Sequence, residues 1–287
     1  MKEHNFIEII KNITNSSYLG DDCAYLPELD IVITQDNFIE DIHFKTDWAT
    51  PFQIGYKAAA VNISDILASG AKPEYITVGL SIPDVDEIFI NELYKGIVAG
   101  SYGAKVIGGD ITGANKIFIS ITAIGKTKGR NISSRKNAKP DYVIVTNSTF
   151  GESAIGLQEL QQGKKKSRAI KAHLEPKLDI DFSKNISTTV KESYAMMDTS
   201  DGLADALFQI AQKSNCSIIT NDIDGAFGFE DYKLVAAVPE SFLKKLDKYI
   251  VIGKVEEYNG TVLKIGNKEF NKHEELKLYD HFGEKDE

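Results

Sequence analysis

Along the first half of the chain, apolar residues switch repeatedly between spacing by two and helical spacing, and this alternation restricts the fold to mixed layers of helix and sheet. A short β-branched run at 31–34 ends in polar Gln35 and Asp36. Thr50-Pro51-Phe52-Gln53 then carries an N-cap, a proline suited to the first helical position and a capping-box glutamine, which predicts a helix from there to about Ser69, stopped by Gly70. A strand is expected over 75–82, closed by Pro83. Asp84 with Glu87 marks the next helix start, running to about Tyr102. Val106-Ile107 leads into Gly108-Gly109-Asp110, and 117–124 alternates at period two.

Between 125 and 139 apolar residues thin out while Lys126, Lys128, Arg130, Arg135, Lys136 and Lys139 crowd in, so a boundary is placed there, giving units 1–127 and 128–287. Beyond it, strands are expected at 142–146, 195–197, 217–220 and 234–238, with helices at 152–162 and 203–213. The basic loop 163–168 reads as a solvated turn. The whole is α+β or α/β in two units.

The charge balance narrows the partners. With a formal net charge of -9, the chain lacks the cationic surplus that counterion release on a nucleic acid requires. Carboxylates in excess are useful at a polyphosphate site only when divalent cations stand between the anions. Cys23 and Cys216 are the two cysteines, with no metal or disulfide spacing, which fits a reducing cytoplasm. Lys2, Glu3, Glu8 and Lys11 interrupt the apolar positions of an amphipathic first helix, so neither a signal peptide nor a membrane span is expected.

Aspartates recur where elements end or begin: Asp21 and Asp22 after Gly20, Asp36 after a strand, Asp110 after a double glycine, Asp198 and Asp201 around Thr199-Ser200. Each taken alone is either a turn former or an oxygen ligand. Asp65 differs, because a carboxylate near a helix C-terminus opposes the helix dipole and needs a compensating cation. The chain has no G-x-x-x-x-G-K-[ST] loop, protein-kinase signature, G-x-S-x-G or H-E-x-x-H. The two common phosphotransferase classes and the usual hydrolase and zinc readings therefore lose their support.

Read in order, seven segments resemble the thiamine-monophosphate kinase family of the aminoimidazole-ribonucleotide synthetase-like superfamily. They are Gly20-Asp21-Asp22-Cys23-Ala24; Ile33-Thr34-Gln35-Asp36 leading to His43-Phe44; Tyr56 through Asp65; Ile107-Gly108-Gly109-Asp110; Met197 through Leu203; Glu230-Asp231-Tyr232; and Tyr279-Asp280-His281-Phe282. The resemblance implies an N-terminal α/β domain with ferredoxin-like βαβ elements that pairs with its copy in a homodimer, and a C-terminal α/β domain closing the cleft. It implies several Mg²⁺ ions at Asp22, Thr34, Gln35, Asp36, Asp65, Asp110, Asp198 and Asp201. ATP would be contacted at Tyr102, Gly109, Asp110, Arg135 and Ser200, and thiamine monophosphate at His43, Glu230 and Tyr279. The implied reaction is direct in-line transfer to give thiamine diphosphate, with the acceptor phosphate as nucleophile. A phosphate monoester is already ionised at neutral pH, so no general base is assigned.

The sequence departs from the family in three places. Asp110 is followed by Ile111-Thr112-Gly113 where the family carries an arginine, Phe229 replaces a glycine before Glu230, and the stretch 221–227 is short. The alternatives are another ATP-using synthetase of the superfamily and a nucleotide-binding relative without turnover.

Overall fold

The computed structural model describes residues 2–278, with side chains from residue 5 onward; Tyr279 and the rest of its motif lie outside the described residues. After a first helix, α1 (Lys2–Thr14), a five-stranded sheet is built from β1 (Ala24–Leu26), β2 (Ile31–Ile39), β3 (Lys72–Ile82), β4 (Lys105–Gly113) and β5 (Phe118–Lys126), in the order β1-β2-β5-β3-β4. Helix α3 (Glu87–Gly100) connects β3 to β4, which pair in parallel and so form a βαβ unit.

Helix α2 (Pro51–Ala68) starts as its cap residues dictate: Thr50 Oγ1 accepts from the Gln53 amide (3.3 Å) and Gln53 Oε1 accepts from the Thr50 amide (3.0 Å). The helix is buried nearly all round, between the first sheet, α3 and the second half of the chain. Its approach to α3 depends on missing side chains. A Cβ on Gly96 would stand 1.9 Å from the Phe52 carbonyl oxygen, and one on Gly55 would stand 2.0 Å from that of Leu93.

A second, seven-stranded sheet follows: β6 (Tyr142–Thr146), β7 (Ala195–Asp198), β8 (Cys216–Thr220), β9 (Leu234–Pro239), β10 (Ile250–Glu257), β11 (Leu263–Ile265) and β12 (Lys268–Phe270), in the order β12-β11-β8-β10-β6-β9-β7. Helices α4 (Glu152–Gln161), α5 (Arg168–Leu174), α6 (Ile180–Thr189) and α7 (Leu203–Ser214) complete this half, with Leu203, Leu207, Phe208 and Ile210 of α7 in its core. Among the described residues no helix is long and apolar enough to cross a membrane.

Several boundaries differ from the sequence reading. The N-cap of α3 is Asp86, whose Oδ1 accepts from the Phe89 amide at 2.8 Å, two residues after the expected Asp84. Asp36 and Asp110 are not strand ends. Strand β2 continues its ladder with β5 through Asp36 to Ile39, and β4 pairs with β3 straight through Gly108, Gly109 and Asp110. Pairing with a neighbour outweighs the weak strand propensity of Asp and Gly. Helices α5 and α6 and strands β10 to β12 were not anticipated, although β10 is a central strand of the second sheet.

Candidate active site

The side of α2 that faces the second half of the chain is set by helical spacing. Residues 57, 61, 64 and 65 stand at i, i+4, i+7 and i+8 and share one face. Lys57 reaches Glu230, Val61 and Asp65 line a cleft of about 550 Å³, and Ser64 Oγ donates to Asp198 Oδ2 at 2.5 Å. One buried helix thus addresses both ends of the cleft and ties the two sheets together.

At the first end, carboxylates converge from segments far apart in sequence. Oxygen atoms of Asp22, from the loop before β1, of Asp65 and of Asp198, at the end of β7, all lie within 4.8 Å of one another. Asp36 is beside them on β2, its amide donating to Asn62 Oδ1 of α2 at 2.9 Å. Thr34 shares the sheet face of Asp36, as alternation along a strand requires, and its hydroxyl donates to Asp65 Oδ2 at 2.6 Å.

Burial first, then the surrounding carboxylates, push the Asp65 carboxyl well above its usual range. Burial and then Asp22 raise Asp36 to about 6 and Asp198 to about 7. Arg135 offers partial relief: Nη2 donates to Asp22 Oδ1 at 2.8 Å and Nη1 to Gln209 Oε1 at 2.5 Å, while its buried Nε has no partner among the described residues. The neighbouring Asp21 has separate work, accepting from the Ser134 hydroxyl and the Arg135 amide and so anchoring the segment that carries Arg135.

The other end is apolar and aromatic, lined by Phe38, Phe44, Trp48 and Phe229 together with His43 and Glu230. His43 Nδ1 accepts from the Ile39 amide at 3.0 Å, and its ring stacks on Phe38. Glu230 stands in a left-handed backbone conformation (φ 58°) and donates its amide to the Ser200 carbonyl at 2.6 Å. Asp231 accepts from the Gly151 and Ser153 amides at the start of α4, and Tyr232 packs in the core. The Glu-Asp-Tyr element therefore places Glu230 and Tyr232 on the cleft wall and uses Asp231 to fix its loop. Ser200 and Asp201 also line the cleft, on the turn after β7.

Glu230 has a buried cation of its own: Lys57 Nζ lies 3.1 Å from Oε1, with the lysine side chain 3% exposed. His173 of α5 stands behind the same carboxylate, Nδ1 being 3.5 Å from Oε2 and 3.0 Å from Ser153 Oγ. Burial alone would raise the Glu230 carboxyl; Lys57 and then His173 hold it below its ordinary value.

Four positions from the sequence reading stand elsewhere. Gln35 does not join the carboxylates, because its side chain points to the opposite sheet face, where it bonds Ser120 and Thr122 of β5. Gly109 and Asp110 lie on β4, the sheet edge, three strands from Asp36 and exposed. The glycine is required there by close packing on β3, since a Cβ would meet the Val78 carbonyl oxygen at 1.9 Å. Tyr102 is outside the cleft lining, its hydroxyl bonded to Tyr56 (2.8 Å) and accepting from the Leu178 amide (2.9 Å). Lys57, Ser64 and His173 were missed. Lys57 and Ser64 could have been found by projecting the helix from Asp65, whereas His173 sits in a helix that carried no readable signal.

Comparison with known proteins agrees with this layout. The family model for the AIR synthase related protein, N-terminal domain, matches residues 20–127. A thiamine-monophosphate kinase of Haemophilus influenzae is 31% identical over 279 residues, covering 84% of each chain. One of Prochlorococcus marinus is 30% identical over 301 residues, covering 89% of this chain and 88% of the relative. The solved structure of AaThiL complexed with AMPPCP and TMP superposes with a TM-score of 0.86 at 27% identity, covering 98% of both chains.

Proposed function

The chain belongs to the thiamine-monophosphate kinase family, and we propose that its cleft transfers the γ-phosphoryl group of ATP directly to thiamine monophosphate, giving thiamine diphosphate and ADP. The observation that carries this reading is one cleft with two opposite ends. A knot of carboxylates suited to metal-bound phosphates faces an aromatic enclosure into which the ionised Glu230 is set. The latter suits a flat cationic heterocycle, which is the chemistry of a thiazolium.

The residues present fit Mg²⁺. The donors are oxygen only and converge from three segments, and burial together with neighbouring carboxylates raises the affinity of Asp65 and Asp198 for protons, as carboxylates lacking a counter-charge should show. Asp22, Asp36, Asp65 and Asp198 would hold the ions, with Thr34 and Asp201 beside them. Bound there, the metal supplies the positive charge that offsets repulsion between two phosphate anions. The protein's own part is positioning. His43 and Glu230 orient the acceptor, Ser200 and Arg135 meet the nucleotide, and the aromatic walls exclude water. Since the acceptor phosphate is itself the nucleophile, no side chain has to remove a proton.

The roles assigned to Gly109, Asp110 and Tyr102 for ATP and metal call for a second copy of the chain. Among the described residues no strand pairs with the outer edge of β4, which exposes Val106, Ile107 and Ile111, and an unprotected apolar edge favours pairing with another chain. A homodimer joined there would bring Gly109 and Asp110 of β4 to a shared cleft. Both cysteines are buried and unpaired, which supports a reducing cytoplasmic setting.

The decisive experiment incubates the protein with Mg²⁺ and ATP, with and without thiamine monophosphate, and separates the products by chromatography. ADP and thiamine diphosphate are expected in equal amounts, only with the acceptor present, and not from Asp65→Asn. Nucleotide binding without either product would overturn the reading.

A further inference from the structure

We propose that Lys57 is a positioning residue for the acceptor: buried behind Glu230, it keeps that carboxylate ionised and aimed into the cleft, with His173 packed beside the second oxygen. The inference deepens the reading above and rests on it.

Three observations carry it. Lys57 is the charged residue within the run Tyr56 to Val61 of a helix otherwise lined with alanines and β-branched residues, and burying an ammonium there is costly unless it is paired. Its partner is an oxygen of Glu230, which itself lines the cleft, so the pair is built from the wall inward and leaves the front of the carboxylate to a ligand. Lys57 also orders the histidine. An ammonium has only hydrogens to donate, so His173 Nε2, 3.5 Å from Nζ, is the bare acceptor nitrogen and the ring proton is on Nδ1. That proton faces Ser153 Oγ and Glu230 Oε2. Glu230 Oε1 is therefore met by the Lys57 ammonium, while Oε2 has the neutral ring of His173 beside it at 3.5 Å.

The left-handed backbone at Glu230 gives this clamp a purpose beyond solubility of the charge. Residues other than glycine hold that conformation at a cost, and the tie from the Glu230 amide to the Ser200 carbonyl leaves the side chain to be fixed by its own contacts. Without Lys57, the carboxylate would be buried among aromatic rings with a neutral imidazole as its nearest support. It would then either take up a proton or turn away, and in either state it would meet a cationic ring poorly.

The test compares Lys57→Met and Lys57→Arg with the unsubstituted enzyme, reading kcat and the KM for thiamine monophosphate between pH 5.5 and 8.5 at saturating Mg²⁺ and ATP. The titratable groups facing Glu230 are Lys57 from α2, His173 from α5, His43 from the loop after β2 and Tyr232 from its own loop. We expect KM to rise about 10- to 100-fold in Lys57→Met with kcat within a few-fold. The rise should steepen as pH falls, because the unsupported carboxyl protonates more readily, and Lys57→Arg should recover most of the loss. An unchanged KM across the pH range in folded Lys57→Met overturns the proposal, as does a fall in kcat alone. Should Lys57→Met fail to fold, the pair Glu230→Gln and Lys57→Met/Glu230→Gln decides it: with no charge left to hold, removing Lys57 should then leave KM unchanged, and a further rise would show that Lys57 acts on the acceptor by another route. Unsubstituted enzyme that makes no thiamine diphosphate overturns the functional reading itself, and is recognised by absent product rather than by an unmoved KM.

Discussion

The two ends of the cleft bury carboxylates in opposite ways. At the phosphate end Asp22, Asp36, Asp65 and Asp198 crowd together with Arg135 bonded to one of them, and Asp36, Asp65 and Asp198 bind protons more readily than free carboxylates. At the acceptor end a single Glu230 has a buried lysine and a histidine to itself, and is held more acidic than a free glutamate. The difference separates a site that must import its counter-charge from one that carries it within the fold. Imported charge can arrive with the substrate and leave with the product, which suits metal-bound nucleotide. Resident charge stays, which suits recognition of an acceptor that brings its own cation.

The contrast breaks most visibly in kinetics. Asp198→Asn preserves the acceptor for the Ser64 hydroxyl and removes one charge from the cluster. A loss of about 10³-fold in kcat, roughly 4 kcal/mol of transition-state stabilisation, is expected with little change in the KM for thiamine monophosphate. Glu230→Gln should show the reverse, a KM effect with kcat largely kept. Steady-state rates for the two variants would sink the division if both moved the same constant.

How far the sequence disclosed this arrangement depended on how each residue is held. Asp65 was legible because a carboxylate at a helix C-terminus is electrostatically misplaced, and the cluster around it supplies the reason. Asp22, Asp36 and Asp198 were marked by their motifs, but only the crossing of β2, α2 and β7 shows that they meet. Gln35, next to Asp36 in sequence, has its side chain on the other side of the sheet, a separation that the period of a strand dictates. Gly109 came from the family resemblance, and its local reason is one that no sequence pattern states: a side chain there would meet the β3 backbone. His173 is absent from any motif because its role arises from α5 packing beside α2 at a sequence distance that no local pattern spans.

A smaller effect separates the ends by pH. Burial first, then Lys57, lower His173 to about 4 from an ordinary value near 6.5. Between those values the unfolded chain binds more protons at this position than the folded one, so its contribution is complete above about pH 6.5 and is lost as pH falls towards 4. Chemical unfolding at saturating Mg²⁺ should therefore show a decline on the order of 3 kcal/mol across that window, shallower in His173→Gln. Equal slopes would mean that the imidazole is not held neutral.

The smallest effect is the sharpest in sign. At pH 8 in a chelator, every carboxylate of the phosphate end repels its neighbours, and Asp65 is the most surrounded, with Asp36, Asp198 and Asp22 all acting on it. Asp65→Asn removes that repulsion and keeps an acceptor for the Thr34 hydroxyl. The variant should then be more stable than the unsubstituted protein by about 1 kcal/mol. Adding Mg²⁺ should reverse the order, since the ion binds the folded carboxylates and stabilises the unsubstituted chain by mass action while the variant has lost a ligand. At the acceptor end Lys57→Met should destabilise with or without Mg²⁺, because the counter-charge it removes was never imported. Thermal unfolding of the three proteins in chelator and in Mg²⁺ reads both signs, and a destabilised Asp65→Asn in chelator would show that the cluster is already neutralised by groups of the protein itself.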